Sequence, residues 1–187
     1  MSPLSWLFKL SSAIAAAFAL LACTSFGFAG EQATAYQVEA VYLYNFTKFV
    51  QWPARAMPVK SAPFAICILG ADPFGPVLDA ALGGESIQGA QIVARRIAQP
   101  QDAAGCRIVF VSSSEEHRLK EILAALSGTG VLTVSDISDF TKRGGMIQFV
   151  QTDGKVRFEV NVKNATDAGL VLSADLIEVA LAVRTGS

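Results

Sequence analysis

The sequence predicts an α/β fold with a mixed, mainly parallel sheet flanked by helices and an antiparallel hairpin near the C-terminus. Two continuous apolar segments, residues 64–70 and 106–111, are separated by helical patterns, as in parallel strands covered on both faces. Residues 144–162 instead alternate apolar with polar side chains around Asp153-Gly154, a pair that favours a two-residue β-turn. Without an internal repeat or a low-complexity linker, the chain is expected to form one domain.

The hairpin has a register that the turn residues determine. A turn at Asp153-Gly154 places Phe149 opposite Phe158 and Gln148 opposite Glu159. The first pair lies on a mainly apolar face and the second on a mainly polar one, as expected when only one face packs on the core. The polar face is then either exposed to solvent or part of a surface that contacts another protein.

The other elements follow from apolar spacing and turn residues. Residues 34–50 predict a first helix with an apolar stripe that contains Val38, Tyr42 and Phe46, and Pro53 ends it. The later elements are short: a helix at 76–82, one or two strands at 87–96, the strand at 106–111, a helix to Leu126, a strand at 131–134, a brief helix at 165–168 capped by Asn164, and a last helix that begins after Ser173 and runs through Val183.

The first 30 residues have the pattern of an export signal. Lys9 and the amino terminus precede an apolar stretch at 10–22, which is shorter than a typical membrane span. Cleavage after Ala29 would leave residues 1–29 as a signal peptide. The alternative is a lipoprotein signal at 1–22, since Leu20–Cys23 resembles a lipobox and would make Cys23 the lipidated first residue. An uncleaved anchor is a third interpretation.

The charge balance argues against nucleic acid as a partner. Only Lys9 is charged before residue 31, so the remaining chain has 14 basic and 16 acidic residues. A nucleic-acid-binding domain usually carries a basic excess.

Two cysteines, Cys67 and Cys106, remain once Cys23 is removed or lipidated. Each lies in a predicted buried strand of an exported chain, where disulfides persist. The pair forms either one disulfide or two separate buried thiols.

The sequence contains no recognisable catalytic constellation, metal cluster or cofactor motif, and the chain is predicted not to be an enzyme. The single histidine, His117, lies on the predicted exposed face of a helix, and Glu115-Glu116 point apart on it. Ligands of open α/β sheets bind beyond the carboxyl ends of the strands. There, Ser112 and Ser113 are candidates to hold a small anionic or amphipathic ligand.

Arg95 and Arg96 form the densest positive charge in the chain and are candidates to clamp an anion. The alternatives are an ordinary strand–helix turn at the serines and a solvated strand end at the arginines.

Six segments, in this order and spacing, resemble the YfiR family of periplasmic proteins. They cover nearly all of the chain after the leader: YLYNFTKFVQWP (42–53), FAICILGADPFG (64–75), CRIVFVSSSEE (106–116), VLTVSD (131–136), GGMIQFV (144–150) and VRFEVNVKNATDAGL (156–170).

The resemblance implies an α/β domain over residues 31–187, located in the periplasm, with a disulfide between Cys67 and Cys106. Some family members have a second disulfide at the positions of Thr141 and Gln148, so we expect a looser loop here. The implied function is repression: the protein binds the periplasmic region of an inner-membrane diguanylate cyclase and lowers cyclic di-GMP signalling, which controls biofilm formation.

The resemblance also implies that an outer-membrane lipoprotein sequesters the repressor. A second copy of the chain is a further candidate partner. The competing hypothesis is a periplasmic small-ligand sensor that uses the strand-end turns.

Overall fold

A computed structural model describes residues 26–54 and 62–186 of the chain. Cys23 and the apolar signal stretch at 10–22 lie outside the described residues. Residues Ala35–Ser187 form one compact unit.

Five α-helices and ten strands are present in the described part of the chain. Their bounds, in chain order, are α1 (Phe26–Phe49), β1 (Val50–Gln51), β2 (Phe64–Leu69), α2 (Pro76–Leu82), β3 (Ser86–Ile87), β4 (Ala90–Ile97), β5 (Cys106–Val111), α3 (Leu119–Leu126), β6 (Leu132–Ser135), β7 (Ile147–Thr152), β8 (Lys155–Asn161), α4 (Val162–Asp167), β9 (Val171–Leu172), α5 (Ala174–Glu178) and β10 (Ala182–Arg184). Two 3₁₀ segments, Pro100–Ala103 and Ser113–Arg118, precede β5 and α3.

The main sheet has eight strands in the order β10-β8-β7-β6-β5-β2-β4-β3. The neighbours from β4 through β2, β5 and β6 to β7 are parallel. Strand β8 is antiparallel to β7, while β10 runs parallel to β8 at the edge. The predicted mixed α/β fold with a C-terminal antiparallel hairpin is therefore confirmed.

The hairpin has the register that its turn residues predict. Phe149 lies opposite Phe158 and Gln148 lies opposite Glu159. Asp153 at the turn has φ 53° and Gly154 has φ 69°, the left-handed conformation required at both positions of this turn.

Two hydrophobic cores cover the two faces of the sheet. Even-numbered residues of β2, such as Ile66, pack with Leu43 and Phe46 of α1. Odd-numbered ones, such as Cys67, pack with Ile122 of α3. Strand β2 is thus buried on both faces, which explains its unbroken apolar sequence.

The predicted buried stripe of α1 is confirmed in part: Phe46 is buried and Tyr42 packs against the core, whereas Val38 is exposed. Ala40 and Leu43 are buried as well, and Val41 is exposed. Because α1 has apolar side chains around much of its circumference, the sequence pattern could not define which arc faces the sheet.

Two predicted C-terminal features are also wrong. Asn161, rather than Asn164, caps α4, since its side-chain oxygen accepts a hydrogen bond from the Asn164 N–H at 3.0 Å. Ser173 caps α5 as predicted, but the helix ends at Glu178. The Leu181 N–H then donates to the Phe158 carbonyl at 2.8 Å, and the chain continues as strand β10 rather than as helix.

Candidate protein-contact surface

A disulfide ties two adjacent inner strands of the sheet together. Cys67 of β2 and Cys106 of β5 are bonded, with their Cα atoms 5.9 Å apart, and both are buried in the core beneath α3. The loop that the disulfide closes, residues 67–106, contains α2, β3 and β4. The structure therefore has the covalent link that the resemblance implies, and the alternative of two separate thiols is not the arrangement found.

The crevice beyond β2 and β5 is filled by the chain's own side chains. Gly70 is so close to Ser114 and Glu115 that a Cβ at this position would lie 2.5 Å from Ser114 Oγ. The Ala71 N–H donates to the same oxygen at 3.0 Å, and Glu115 is paired with Arg118. The hydroxyl of Ser114 and the amide of Ala71 at this strand end are thus engaged within the protein.

The two predicted arginines make different contacts. Arg96 donates to Asp72 at 2.8 Å, to Asp79 at 2.7 and 2.8 Å, and to the Gly75 carbonyl at 2.8 Å. The hydrogen bond from this guanidinium lowers the pKa of Asp79. Arg95 makes one longer bond, of 3.3 Å, to the Ala104 carbonyl. Arg96 therefore already binds two anions, both supplied by its own chain.

The structure does not bring the predicted arginines and serines into one site. Arg95 and Arg96 are on β4, whereas Ser112 and Ser113 follow β5, and β2 lies between the two strands. Ser112 is buried and its hydroxyl accepts from the Ser114 N–H as a helix cap, while Ser113 is exposed. Ligand binding by these four residues stays a prediction.

An aromatic cluster joins α1 to the hairpin. The rings of Tyr42 and Phe46 stack with centroids 6.1 Å apart, and Phe46 meets Phe158 edge to face at 5.4 Å. Phe149 stacks on Phe46 at 5.9 Å from below. These contacts fix the hairpin against α1 and form the floor of a surface groove.

The groove lies between α1 and α5 and has a volume of about 190 Å³. Its lining is almost entirely apolar, with Asn45 and Asp175 as the polar exceptions: Tyr42, Asn45, Phe46, Phe49, Phe158, Asp175, Leu176 and Val179. Val179 is 57% exposed and Phe49 37% exposed at this groove. Exposed apolar side chains next to a groove of this kind are typical of a contact site rather than of bare solvent-exposed surface.

The exposed face of α1 extends the same apolar surface. Val38, Val41, Asn45 and Phe49 recur at helical spacing and therefore lie on one face of the helix. We define the docking surface as the groove together with Val38 and Val41. The sequence pattern indicated these apolar residues but assigned them to the core, because period alone does not distinguish a buried stripe from a contact stripe.

A second, polar cleft lies at the end of the hairpin away from its turn. It measures about 380 Å³ and three cationic side chains line it, those of Lys142, Arg143 and Arg184. Thr141 anchors the wall, since its hydroxyl accepts from Arg184 Nε at 3.2 Å and donates to Glu159 Oε2 at 3.1 Å.

The loop at Thr141 is held by polar contacts. The Thr141 N–H donates to Gln148 Oε1 at 3.3 Å, so a hydrogen bond stands where some relatives are expected to have a disulfide. The Thr141 carbonyl also accepts from Asn161 Nδ2 at 3.0 Å.

Among the described residues, no cluster of three or more histidine, cysteine or carboxylate side chains has the geometry to hold a metal ion. His117 is exposed, as predicted. Within residues 26–54 and 62–186, no helix has both the length and the apolar character to cross a bilayer.

The fold and the docking surface define a three-layer α/β domain with a disulfide across two of its inner strands and an apolar contact groove. The model of the YfiR/HmsC-like family, DUF4154, matches residues 36–181. The chain belongs to this family, which is a regulatory rather than a catalytic family and is periplasmic.

Two solved structures show a partial similarity. One is the crystal structure of a conserved domain protein from Vibrio cholerae O1 biovar El Tor str. N16961, with 8% identity, a TM-score of 0.49, and 64% of this chain and 54% of that chain covered. The other is the ABC domain in complex with L-Trp from Streptococcus pneumonia, with 8% identity, a TM-score of 0.49, and 64% and 55% covered. This chain thus spans a little over half of each. No curated protein matches the sequence significantly.

Proposed function

We propose that the protein is a periplasmic, non-enzymatic repressor that binds the periplasmic region of an inner-membrane diguanylate cyclase. Membership of the YfiR/HmsC-like family supports this role. The docking surface supplies the feature that such a role needs, an exposed apolar area on a rigid scaffold. Export through the N-terminal signal, whether cleaved after Ala29 or lipidated at Cys23, would bring the chain to the same compartment as the cyclase region and would allow its disulfide to persist.

The groove is better suited to a protein side chain than to a metabolite. Its volume of about 190 Å³ lies below the roughly 300–1,000 Å³ of typical small-molecule sites. It would accept one or two apolar side chains from a partner, with the aromatic floor of Tyr42, Phe46 and Phe158 already ordered by packing. A preordered aromatic site of this kind loses little conformational entropy when a partner binds.

Repression without catalytic groups requires differential affinity. The repressor must bind the inactive conformation of the cyclase more tightly than the active one, because equal affinity for both would shift nothing. An outer-membrane lipoprotein that competes for the repressor would release the cyclase by mass action, and cyclic di-GMP would rise. Neighbouring genes for a cyclase and an outer-membrane lipoprotein would support this scheme.

Crosslinking in intact cells tests the proposal. The exported protein, carrying a C-terminal affinity tag, is crosslinked in the periplasm, captured and analysed by mass spectrometry. Recovery of a membrane protein with a cytoplasmic GGDEF-type domain, together with lower cyclic di-GMP when the repressor is expressed, is the expected result. Unchanged cyclic di-GMP in cells with and without the protein would overturn the proposal, and recovery of the same chain alone would point to a homodimer.

The polar cleft favours a second candidate function, the sensing of a small anion. Three cations line a cleft of about 380 Å³, and each is paired with a carboxylate of its own chain: Lys142 with Asp139, Arg143 with Glu116 and Arg184 with Glu159. A carboxylate or phosphate compound would bind by competing for these cations, most easily for Arg184, whose ion pair is the longest at 3.9 Å. A thermal-shift screen with inorganic phosphate and with di- and tricarboxylates tests it, because a ligand that binds the native state raises the melting temperature saturably. Loss of that rise in Arg184→Gln would place the ligand in the cleft.

A further inference from the structure

A carboxyl group is buried under helix α1. Glu39 is only 3% exposed, and its Oε2 has no hydrogen-bond partner in the described part of the protein. It follows Tyr36 by one helical turn and precedes Leu43 by another, so it lies on the face of α1 that packs on the sheet. An ionised carboxylate in this position would be strongly disfavoured by the loss of water.

A second carboxyl group faces Glu39 from the end of β6. Asp136 Oδ2 accepts a hydrogen bond from the Tyr36 hydroxyl at 2.9 Å, while Oδ1 is buried and without a partner among the described residues. The preceding residue fixes this segment, since Ser135 Oγ donates to the Val111 carbonyl at 2.7 Å and accepts from the Ile137 N–H at 3.0 Å. Asp136 is thereby held in place beneath α1.

Two other carboxyl groups on elements that pack against α1, those of Asp72 and Glu85, already have hydrogen-bond partners. The turn before α2 packs on Tyr36 through Phe74, with ring centroids 5.5 Å apart, and its Asp72 is bound to Arg96. Further along α1, Tyr44 donates to Glu85. Asp136 is the charged group that acts on Glu39, and Tyr36 is the hydroxyl that acts on Asp136.

Burial, and to a lesser degree the Asp136 charge, raise the pKa of Glu39 to about 8. Burial also raises the pKa of Asp136, although the Tyr36 hydrogen bond opposes that rise. Glu39 therefore carries its proton at neutral pH, and its ionisation would place two like charges under one helix.

We propose that Glu39, buried in the same region as Asp136, is a pH-responsive group: α1 packs on the sheet while Glu39 is protonated and loosens when Glu39 ionises. The native state holds the Glu39 proton between about pH 4.5 and pH 8, whereas the unfolded chain has lost it above the ordinary value of 4.5. Stability from this group therefore falls as pH rises across that interval and is fully present only below it.

The seating of α1 reaches the docking surface, because α1 supplies Tyr42, Asn45, Phe46 and Phe49 to the groove. Loosening the helix would widen the groove and lower the affinity for a partner whose side chains fill it. This last step rests on the proposed function, whereas the pH response of α1 does not, so the two can fail separately. The periplasm exchanges protons with the exterior, which makes external alkalinity the signal that Glu39 would report.

The direct test is the titration of Glu39 itself. Carbon-detected NMR of the exported protein with ¹³C-labelled glutamate follows the Glu39 carboxyl resonance from pH 3 to pH 10. The resonance is assigned by through-bond correlation to the backbone and checked against Glu39→Gln. We expect a midpoint near pH 8 for Glu39. A midpoint below about 5 for Glu39 would overturn the proposal, and this measurement on the wild type decides even if the variant folds poorly.

Melting temperatures supply the matched comparison. Between pH 6 and pH 9, the wild type should lose more thermal stability than Glu39→Gln, which keeps the shape of the side chain without its charge. The control, Glu121→Gln on the exposed face of α3, should follow the wild type. Equal losses in all three proteins would contradict a role for Glu39. If α1 shows the expected pH response but the affinity for the cyclase region does not change with pH, only the proposed effect on the groove is contradicted.

Discussion

Cys67 and Cys106 join adjacent parallel strands on the face of the sheet that packs on α3, while the docking surface lies on the opposite face with α1. The two bonded residues are 39 positions apart in the sequence. The disulfide therefore joins residues that are distant in the sequence but lie on neighbouring strands of the sheet. It constrains the sheet without contributing any atom to the proposed contact area.

We predict that removal of the disulfide destabilises the domain by about 3–4 kcal/mol, the value expected for a loop of this length in the chain-entropy model. The double substitution Cys67→Ala with Cys106→Ala is preferred to serine, because serine would bury unpaired hydroxyls in an apolar core. Urea denaturation of the variant, and of the wild type with and without reductant, measures the change. Equal unfolding midpoints for the oxidised and reduced wild type would contradict it.

The same link leads to a redox prediction for repression. If loss of the disulfide loosens the sheet, the binding-competent fraction falls and cyclase output rises in cells that carry the same double alanine substitution. Cyclic di-GMP is measured at matched protein levels, since loss of the protein would give the same rise. Full repression by the variant at normal abundance would rule out redox control through this bond.

A charged side chain introduced on the docking surface should leave the stability of the free protein nearly unchanged but should weaken binding to the partner. Val41 is 51% exposed and Val179 57% exposed, so Val41→Asp and Val179→Asp should change stability by less than about 0.5 kcal/mol. A carboxylate buried in a partner interface should weaken binding to the cyclase region about tenfold or more, or roughly 1.4 kcal/mol. Titration calorimetry with the purified periplasmic region checks both substitutions.

The control for this surface is Ala125→Asp, an exposed position of α3 on the other face of the sheet. It adds the same charge to the domain at a site away from the groove. If this substitution weakens binding as much as Val179→Asp does, net charge rather than the docking surface determines affinity.

Much of the fold could be predicted because local signals agreed with the tertiary structure. Asp153-Gly154 determined the hairpin register residue by residue, and the unbroken apolar run of β2 indicated burial on both faces. The helix start at Ser173 was also visible in the sequence, because a short hydroxyl side chain stabilises the first turn of a helix.

The surface could not be predicted in the same way. Val38 and Val41 have the spacing of core residues, and only tertiary packing shows that α1 turns Ala40 and Leu43 inward instead. Strand β10 was missed because Ala182–Arg184 is three residues long and its pairing with β8 is non-local. The burial of Glu39 has no sequence signal either, since a lone glutamate in an amphipathic helix is normally exposed.

Arg96 should be structural rather than ligand-binding. Arg96→Gln removes its bonds to Asp72, Asp79 and Gly75 and should destabilise the domain by about 1 kcal/mol, because the network is partly exposed to solvent. Arg95→Gln is the matched control, with an expected change below about 0.5 kcal/mol. A saturable thermal shift with phosphate that disappears in Arg96→Gln would instead support the predicted anion clamp.

Gly145 should be intolerant of even a methyl group. A Cβ at this position would clash with the ring of Phe140, which is fully buried and has no room to move away. We expect Gly145→Ala to destabilise the domain by about 1–3 kcal/mol, the usual range for an overpacked core. Gly83→Ala is the control, since its Cβ would meet only backbone atoms at ordinary contact distances of 3.4 and 3.5 Å, and its φ of −59° suits alanine. Urea denaturation of the two variants side by side distinguishes them: a similar loss for both would mean that general glycine replacement, and not the Phe140 ring, is responsible.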